Sequence, residues 1–404
     1  MKVKVTAKVK AVTPNSQTLI DFLKAYRDWT QYIVNEIWNL NYIPSMKELH
    51  HRFYRVLREQ GFRAHHCHKI ERRTREIVKA IRVKMKNEEK VSKPILKRLT
   101  ARLDSQDYKL NLEDKTLRIA VLNDECVELK LIWYKRLDKY FNGEWRLKEI
   151  LVSCRDNMIW VYFVFEKEIV VKPPRAVMGV DINFSNITYT IVDLRGRLVS
   201  MGVILFTGLT RALIHKKIAE KLQRKYPKSW RFNKKLLEVI RKHYRRAKNI
   251  LVDSSHYASR KIVEIAKEYD AIIVLEDLNK LRSRVNGDRR FNWKMSLWVY
   301  HRIQMYIHYK AVLEGLKVIY ANPKGTPKTS PIGGKLEFIN YRWVKLPNGI
   351  VTSRDVVASW NLALRECVPQ VVSRGMKASD QMQPQEGMKG KPVQVPVVSK
   401  IPKI

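Results

Sequence analysis

The sequence predicts a two-part α/β protein: a β-rich module interrupted by helices, then a half in which strands and helices alternate. Three observations carry this prediction. Apolar residues alternate with period two over residues 1–11 and from about 107 to 170, the signature of half-buried strands. Between them, apolar residues recur at helical spacing through 16–40, 46–59 and 66–87. After Lys172-Pro173-Pro174-Arg175, a linker by composition, short fully apolar runs appear between basic helical stretches.

In order along the chain, Pro14, Asn15 and Ser16 end the first strand. Leu19, Phe22, Leu23, Tyr26, Trp29, Ile33 and Ile37 then line one face of a helix. In the strand region Asp114-Lys115, Asn142-Gly143 and Asp156-Asn157 supply turn chemistry. This gives a β-rich, barrel-like module over 1–15 and 88–171, with a helical insertion over 16–87. Past the linker, Ala176–Asp181, Ile187–Asp193 and Leu198–Phe206 read as three hairpin-like strands. Helices at about 210–225 and 231–268 follow, then the strand Ala271–Leu275, a helix over about 294–314, the strand Lys317–Ala321 and a last helix from Ser353 to about Glu366. This element order is that of an RNase H-like α/β fold. Residues 367–404 are Lys- and Pro-bearing without apolar period, and read as a flexible basic tail.

Composition narrows the function classes. Of 404 residues, 79 are Lys or Arg and 39 are Asp or Glu, a formal net charge of +40. Such an excess points to a polyanionic partner, nucleic acid before an anionic membrane surface. The N-terminus has no continuous apolar segment, and no run of 18 apolar residues occurs, so neither a signal peptide nor a membrane span is expected. Cys67, Cys126, Cys154 and Cys367 form no C-x-x-C pair, and a reducing, cytoplasmic and nucleoid-associated setting is expected.

Three carboxylates fall where an α/β sheet gathers chemistry, at strand ends and a helix start. Asp181 ends the first core strand, Glu276 ends the apolar strand, and Asp355 lies in the first turn of the last helix. Each alone is read as well as a loop residue or a helix cap. Together they would raise one another's pKa unless cations neutralise them, and a pair of Mg²⁺ ions at oxygen ligands does so while activating water against a phosphodiester. Strand alternation points Asp277 the other way, so it is read as structural. The final Asp separates this order from transposases whose last helical carboxylate is a Glu.

The motifs carry a resemblance. Met178–Asp193 (MGVDINFSNITYTIVD), Ile273–Leu278 (IVLEDL) and Ser353–Ala363 (SRDVVASWNLA) resemble the three RuvC motifs of the TnpB family, transposon-encoded OrfB-type proteins akin to type V CRISPR effector nucleases. Asp253–Ser259 and the stretch 309–318 also resemble that family. The likeness covers about 176–366, and the N-terminal half agrees in element order with a wedge-like module. The resemblance implies an Mg²⁺-dependent, RNA-guided DNA endonuclease, with guide RNA and target double-stranded DNA as partners and Asp181, Glu276 and Asp355 as catalytic metal ligands.

One departure stands out. The family usually carries a four-cysteine zinc ribbon between its second and third motifs, and residues 323–352 contain no cysteine. No zinc is therefore expected. A structural zinc contributes about 10 kcal/mol or more to a small metal-dependent fold. Its absence leaves the segment mobile or held by residues such as Phe338, Tyr341 and Trp343. The intact carboxylates favour activity, and the lost cysteines favour a decayed, guided binder or regulator. A basic structural nucleic-acid-binding protein explains the charge but not the carboxylates.

Basic clusters mark the nucleic-acid candidates: Arg72 and Arg73 in the helical insertion; Lys216, Lys217, Arg245 and Arg246 after the third core strand; and Arg282, Arg284, Arg289 and Arg290 just past Glu276. Helical spacing assigns Trp230, Phe232 and Tyr244 to the core rather than to base stacking. His65, His66, Cys67 and His68 are adjacent on a helix and cannot all face one ion.

Overall fold

The computed structural model describes residues 1–87, 91–227, 229–277, 292–293, 299–322 and 328–372. The chain divides into two compact units, Lys2–Glu168 and the remainder from Ile169. Among the described residues, no helix is long and apolar enough to cross a membrane.

The first unit holds β1 (Lys2–Val12), three helices α1 (Ser16–Trp38), α2 (Met46–Glu59) and α3 (Ala64–Lys86), and six further strands. These are β2 (Leu99–Leu103), β3 (Tyr108–Asn111), β4 (Thr116–Ala120), β5 (Cys126–Ile132), β6 (Arg146–Arg155) and β7 (Met158–Glu168). The seven strands form one antiparallel sheet in the order β2-β6-β7-β1-β5-β4-β3. Alternation sets its buried face: Val127, Leu129 and Leu131 on β5, and Val161, Phe163 and Phe165 on β7, are all in the core. Helix α2 begins with a serine N-cap, in which the Ser45 hydroxyl accepts from the Glu48 amide at 3.2 Å. The sequence reading starts its strands at about 107 and so misses β2. That edge strand is only five residues long, Thr100 and Arg102 alternating with Leu99, Ala101 and Leu103, too little for a clear period. The two-residue turn Asp156-Asn157 does join β6 to β7, both residues having positive φ of 50° and 57°, as a type I′ hairpin requires.

The second unit is built on β8 (Ala176–Ile182), β9 (Asn186–Asp193), β10 (Leu198–Leu205), β11 (Ala271–Glu276) and β12 (Val318–Ala321). The sheet order is β10-β9-β8-β11-β12. The first three strands are antiparallel neighbours, and β11 lies parallel to both β8 and β12. This is the RNase H-like arrangement. Among the described residues its helices are α4 (Leu209–Lys225), α5 (Lys234–Glu268), α6 (Tyr300–Leu313) and α7 (Arg354–Val372).

β8 is buried along its whole length, and β11 up to Leu275, so side-chain parity decides which layer each residue meets. Met178, Val180, Ile273 and Leu275 pack with Ala258 and Ile262 of α5 and Ile303 and Ile307 of α6. Val177, Ile272 and Val274 pack on the other face with Val357, Trp360 and Ala363 of α7. Helix α7 continues to Val372, so the residues assigned to the start of the tail at 367 are helical; the tail beyond Val372 lies outside the described residues. Residues 294–298, assigned from sequence to the start of α6, also lie outside them.

A three-stranded antiparallel ribbon precedes α7: β13 (Glu337–Phe338), β14 (Trp343–Lys345) and β15 (Val351–Ser353). Its anchors differ from those expected. Phe338, Tyr341 and Trp343 are exposed, whereas Leu336, Val344 and Leu346 are buried against the α7 side of the sheet. Strand parity explains the difference, since Val344 faces inward and its neighbour Trp343 must therefore face out. Leu346→Ala should thus cost about 2–5 kcal/mol of stability, and Trp343→Ala much less. Equilibrium urea unfolding of both variants checks the ranking.

Candidate active site

Asp181, Glu276 and Asp355 are brought to one face by the parity just described. On β8, Val177, Gly179 and Asp181 look toward α7. On β11, Ile272, Val274 and Glu276 do the same. The strands pair in register up to Leu275 beside Val180, which sets Glu276 next to Asp181. Asp355 enters from above, in the first turn of α7. Asp181 is 9 % exposed. Burial first, then the charges of Glu276 and Asp355, push its carboxyl well above the ordinary carboxylate range. Asp355 is also raised by burial, and the guanidinium groups of Arg342 and Arg354 oppose that rise. Asp277 falls on the α6 side, in a hollow lined by His301, Gln304, His308 and Tyr320.

Several residues fix these carboxylates that sequence reasoning did not single out. Asn183 donates from Nδ2 to Asp181 Oδ2 at 3.1 Å, which orients the carboxylate. Gln304 of α6, itself buried, donates to the Glu276 carbonyl at 2.7 Å and holds the end of β11. Ser353 caps α7 by accepting from the Val356 amide at 3.2 Å. The Arg354 amide donates to the Arg342 carbonyl at 2.9 Å, tying the ribbon to the helix start.

Helix α7 lies close on the sheet because residue 179 is glycine. A Cβ there would stand 1.9 Å from the Ser359 carbonyl oxygen and 2.6 Å from the Ala363 nitrogen, both backbone atoms. Ser359 also joins Thr190 of β9 through their hydroxyls at 2.7 Å. Glycine inside a buried strand is a sequence signal for such an approach. Asn183 and Gln304 carry no comparable signal.

The basic candidates separate under the structure. Arg73 is turned inward and donates from Nη1 to the Thr100 carbonyl at 3.1 Å, so it serves the packing of α3 on β2. Lys216 is also drawn in, with Nζ 4.5 Å from the Trp293 ring and 3.8 Å from Glu220. Arg72 is exposed and pairs with Glu76 at 3.3 Å. Lys217, Arg245 and Arg246 are exposed. Arg282, Arg284, Arg289 and Arg290 lie outside the described residues. The core assignment of the aromatics is corrected: Phe232 is 85 % exposed and Tyr244 is exposed, while Trp230 is partly buried. Helix α5 begins at Lys234, so Phe232 sits in the turn before it, where helical spacing does not apply. Tyr244 reaches back along the surface to Gln223, 2.9 Å from its hydroxyl.

Comparison with known proteins adds a family context. Residues 300–362 match the Cas12f1-like TNB domain model, and residues 22–120 match that of the uncharacterized MJ0013 family. The TnpB-like protein MJ0751 of Methanocaldococcus jannaschii is 32 % identical over 231 residues, 56 % of this chain and 81 % of that protein. The CRISPR-associated endodeoxyribonuclease Cas12f2 of a Micrarchaeota archaeon is 24 % identical over 210 residues, 49 % of this chain and 36 % of that one. Among solved structures, a Cas12f1–sgRNA–target DNA complex superposes with a TM-score of 0.59 at 13 % identity, covering 90 % of this chain and 99 % of that chain. That likeness supports the fold.

Proposed function

Because this chain belongs to the TnpB-like family, we propose that it is an RNA-guided DNA endonuclease whose cutting site is Asp181, Glu276 and Asp355. The observation that carries the reading is the convergence of three carboxylates from two parallel strands and a helix start, one of them raised well above the ordinary range by burial first and then by the charges of the other two. A site of hard oxygen donors with mutual repulsion fits divalent cations. Mg²⁺ bound there would neutralise the carboxylates, activate a water and stabilise the leaving oxygen of a phosphodiester. The chain's own part is positional: Asn183 holds Asp181, Gln304 holds the end of β11, and Gly179 with Ser353 sets the height and start of the helix bearing Asp355.

The partners follow from the family and the charge. A guide RNA and its DNA target present a continuous phosphate surface that a net charge of +40 suits, and base pairing rather than protein side chains reads the sequence. On α5, exposed Tyr244 is followed directly by exposed Arg245 and Arg246, an arrangement for phosphates beside a stacked base. Arg245→Ala with Arg246→Ala should weaken RNA binding across sequences. It should also lower the slope of log K against log salt by about 1 for each phosphate no longer neutralised. Filter binding over a salt series measures both.

A guided binder without cutting is the alternative, favoured by the cysteine-free segment 323–352. The two separate in one experiment. The protein is purified with its bound RNA, the RNA is sequenced, and a plasmid bearing the guide complement beside randomised flanks is incubated with it and Mg²⁺. Linearised plasmid supports the nuclease. A defined RNA and guided plasmid binding without cutting support the binder.

A further inference from the structure

The sequence 65–68 fans out in three directions once folded. His65 pairs with Asp104 at 3.2 Å, His66 faces Asp107 at 3.4 Å in the interior, and Cys67 is buried. His68 alone turns toward the neighbouring helix α2. There it meets His50, and both imidazoles converge on Glu71, one turn further along α3. His50 Nδ1 lies 3.4 Å from Glu71 Oε1, and His68 Nδ1 lies 3.7 Å from Glu71 Oε2. All three ligand atoms lie within 4.8 Å of one another.

Glu71 is the telling member. Its side chain is 0 % exposed, and neither carboxylate oxygen has an aligned hydrogen-bond donor; His50 Nδ1 likewise has no partner in hydrogen-bonding geometry. Buried carboxylates in folded proteins are paired, hydrogen-bonded or bound to metal. The two imidazole rings are stacked nearly parallel, 9° apart with centroids at 4.8 Å, and both turn a nitrogen to the same carboxylate. One shared cation would be met by all three side chains. Donors on a tetrahedral zinc with bonds of about 2.0–2.1 Å stand about 3.3 Å apart; the two nitrogen–oxygen spacings here are 3.4 and 3.7 Å within a cluster spanning up to 4.8 Å, so the side chains close in on the ion when it binds. Two imidazole nitrogens with one carboxylate select a borderline cation such as Zn²⁺ over Mg²⁺. The imidazoles are partly open to solvent, which gives the ion an entry path and leaves room for a water as fourth ligand.

We propose that His50, His68 and Glu71 form a Zn²⁺ site that pins helix α2 to helix α3. The proposal is independent of the nuclease reading and involves none of its residues. Its test uses the full chain, stripped with chelator, re-equilibrated in zinc buffers at nanomolar free Zn²⁺ and desalted for elemental analysis. One zinc per chain is expected in the wild type and in Asp181→Asn. His68→Ala and Glu71→Gln should lose at least about 100-fold in zinc affinity, beyond what changes outside the ligand shell cost. Zinc should also raise the melting temperature of the wild type and not of His68→Ala, whose half-exposed side chain can be removed without opening the core. Substituting Co²⁺ should give the visible absorption of a tetrahedral ion in the wild type only. Absence of stoichiometric zinc in the wild type overturns the proposal, as does zinc retained undiminished in both His68→Ala and Glu71→Gln.

Discussion

Asp181→Asn is expected to lower guided DNA cleavage by about a thousandfold or more while leaving guided DNA binding unchanged. The substitution keeps the size of the side chain and an oxygen for Asn183 to donate to, but removes a negative charge from the centre of the three carboxylates. A loss of roughly 4 kcal/mol of transition-state stabilisation gives that factor. The same variant has a stability signature of opposite sign. The folded-state pKa of Asp181 is raised above the ordinary 3.8 by burial and by Glu276 and Asp355. Below that ordinary value both folded and unfolded chains are protonated and the group contributes nothing. As pH rises above it, the unfolded chain ionises first, so the wild type loses stability relative to the Asn variant. In chelator, thermal unfolding should therefore show Asp181→Asn gaining on the wild type from acid to neutral pH. Added Mg²⁺ should stabilise the wild type more than the variant. Cleavage by Asp181→Asn at the wild-type rate would remove Asp181 from the site.

Gly179→Val is expected to be nearly as damaging to cutting, without touching a reacting group. Any Cβ at 179 overlaps the backbone of α7 at Ser359 and Ala363, and backbone cannot swing aside as a side chain can. The helix must lift, and overpacking of this kind costs about 1–3 kcal/mol or more. Lifting α7 also carries Asp355 away from Asp181 and Glu276, and a misplacement of about 1 Å costs on the order of a hundredfold in rate. The expected result is a lowered unfolding midpoint together with a loss of cleavage larger than the unfolded fraction explains, with RNA still bound. Full cleavage in a folded Gly179→Val would mean that the helix does not set the site.

The parts of the site legible in the sequence are those written in local pattern. Asp181 and Glu276 end apolar runs, and Asp355 follows a serine cap, so strand and helix grammar alone put them at converging ends. Asp156-Asn157 marks its hairpin for the same reason. What stays hidden depends on pairings distant in sequence. The bond between Thr190 and Ser359 spans 169 positions, and Gln304 reaches a carbonyl 28 residues away. The ring at Phe232 escapes helical spacing because one missing turn of helix changes which face a residue shows. Leu336, Val344 and Leu346 give no sign of being anchors because the ribbon strands are two or three residues long, too short to display a period.

The way that ribbon is held has a consequence for the conditions the protein withstands. A knuckle of thiolates around zinc fails when oxidants attack its sulfur or when a chelator removes its ion. Residues 328–353 hold no sulfur ligand to lose, and their order rests on Leu336, Val344 and Leu346 against the domain interior. The segment that ties Arg342 to the start of α7 is therefore indifferent to peroxide and to metal starvation. Its weakness moves to temperature, because burial of apolar surface loses strength on cooling. Cold should loosen the ribbon's hold on the start of α7 where oxidation cannot.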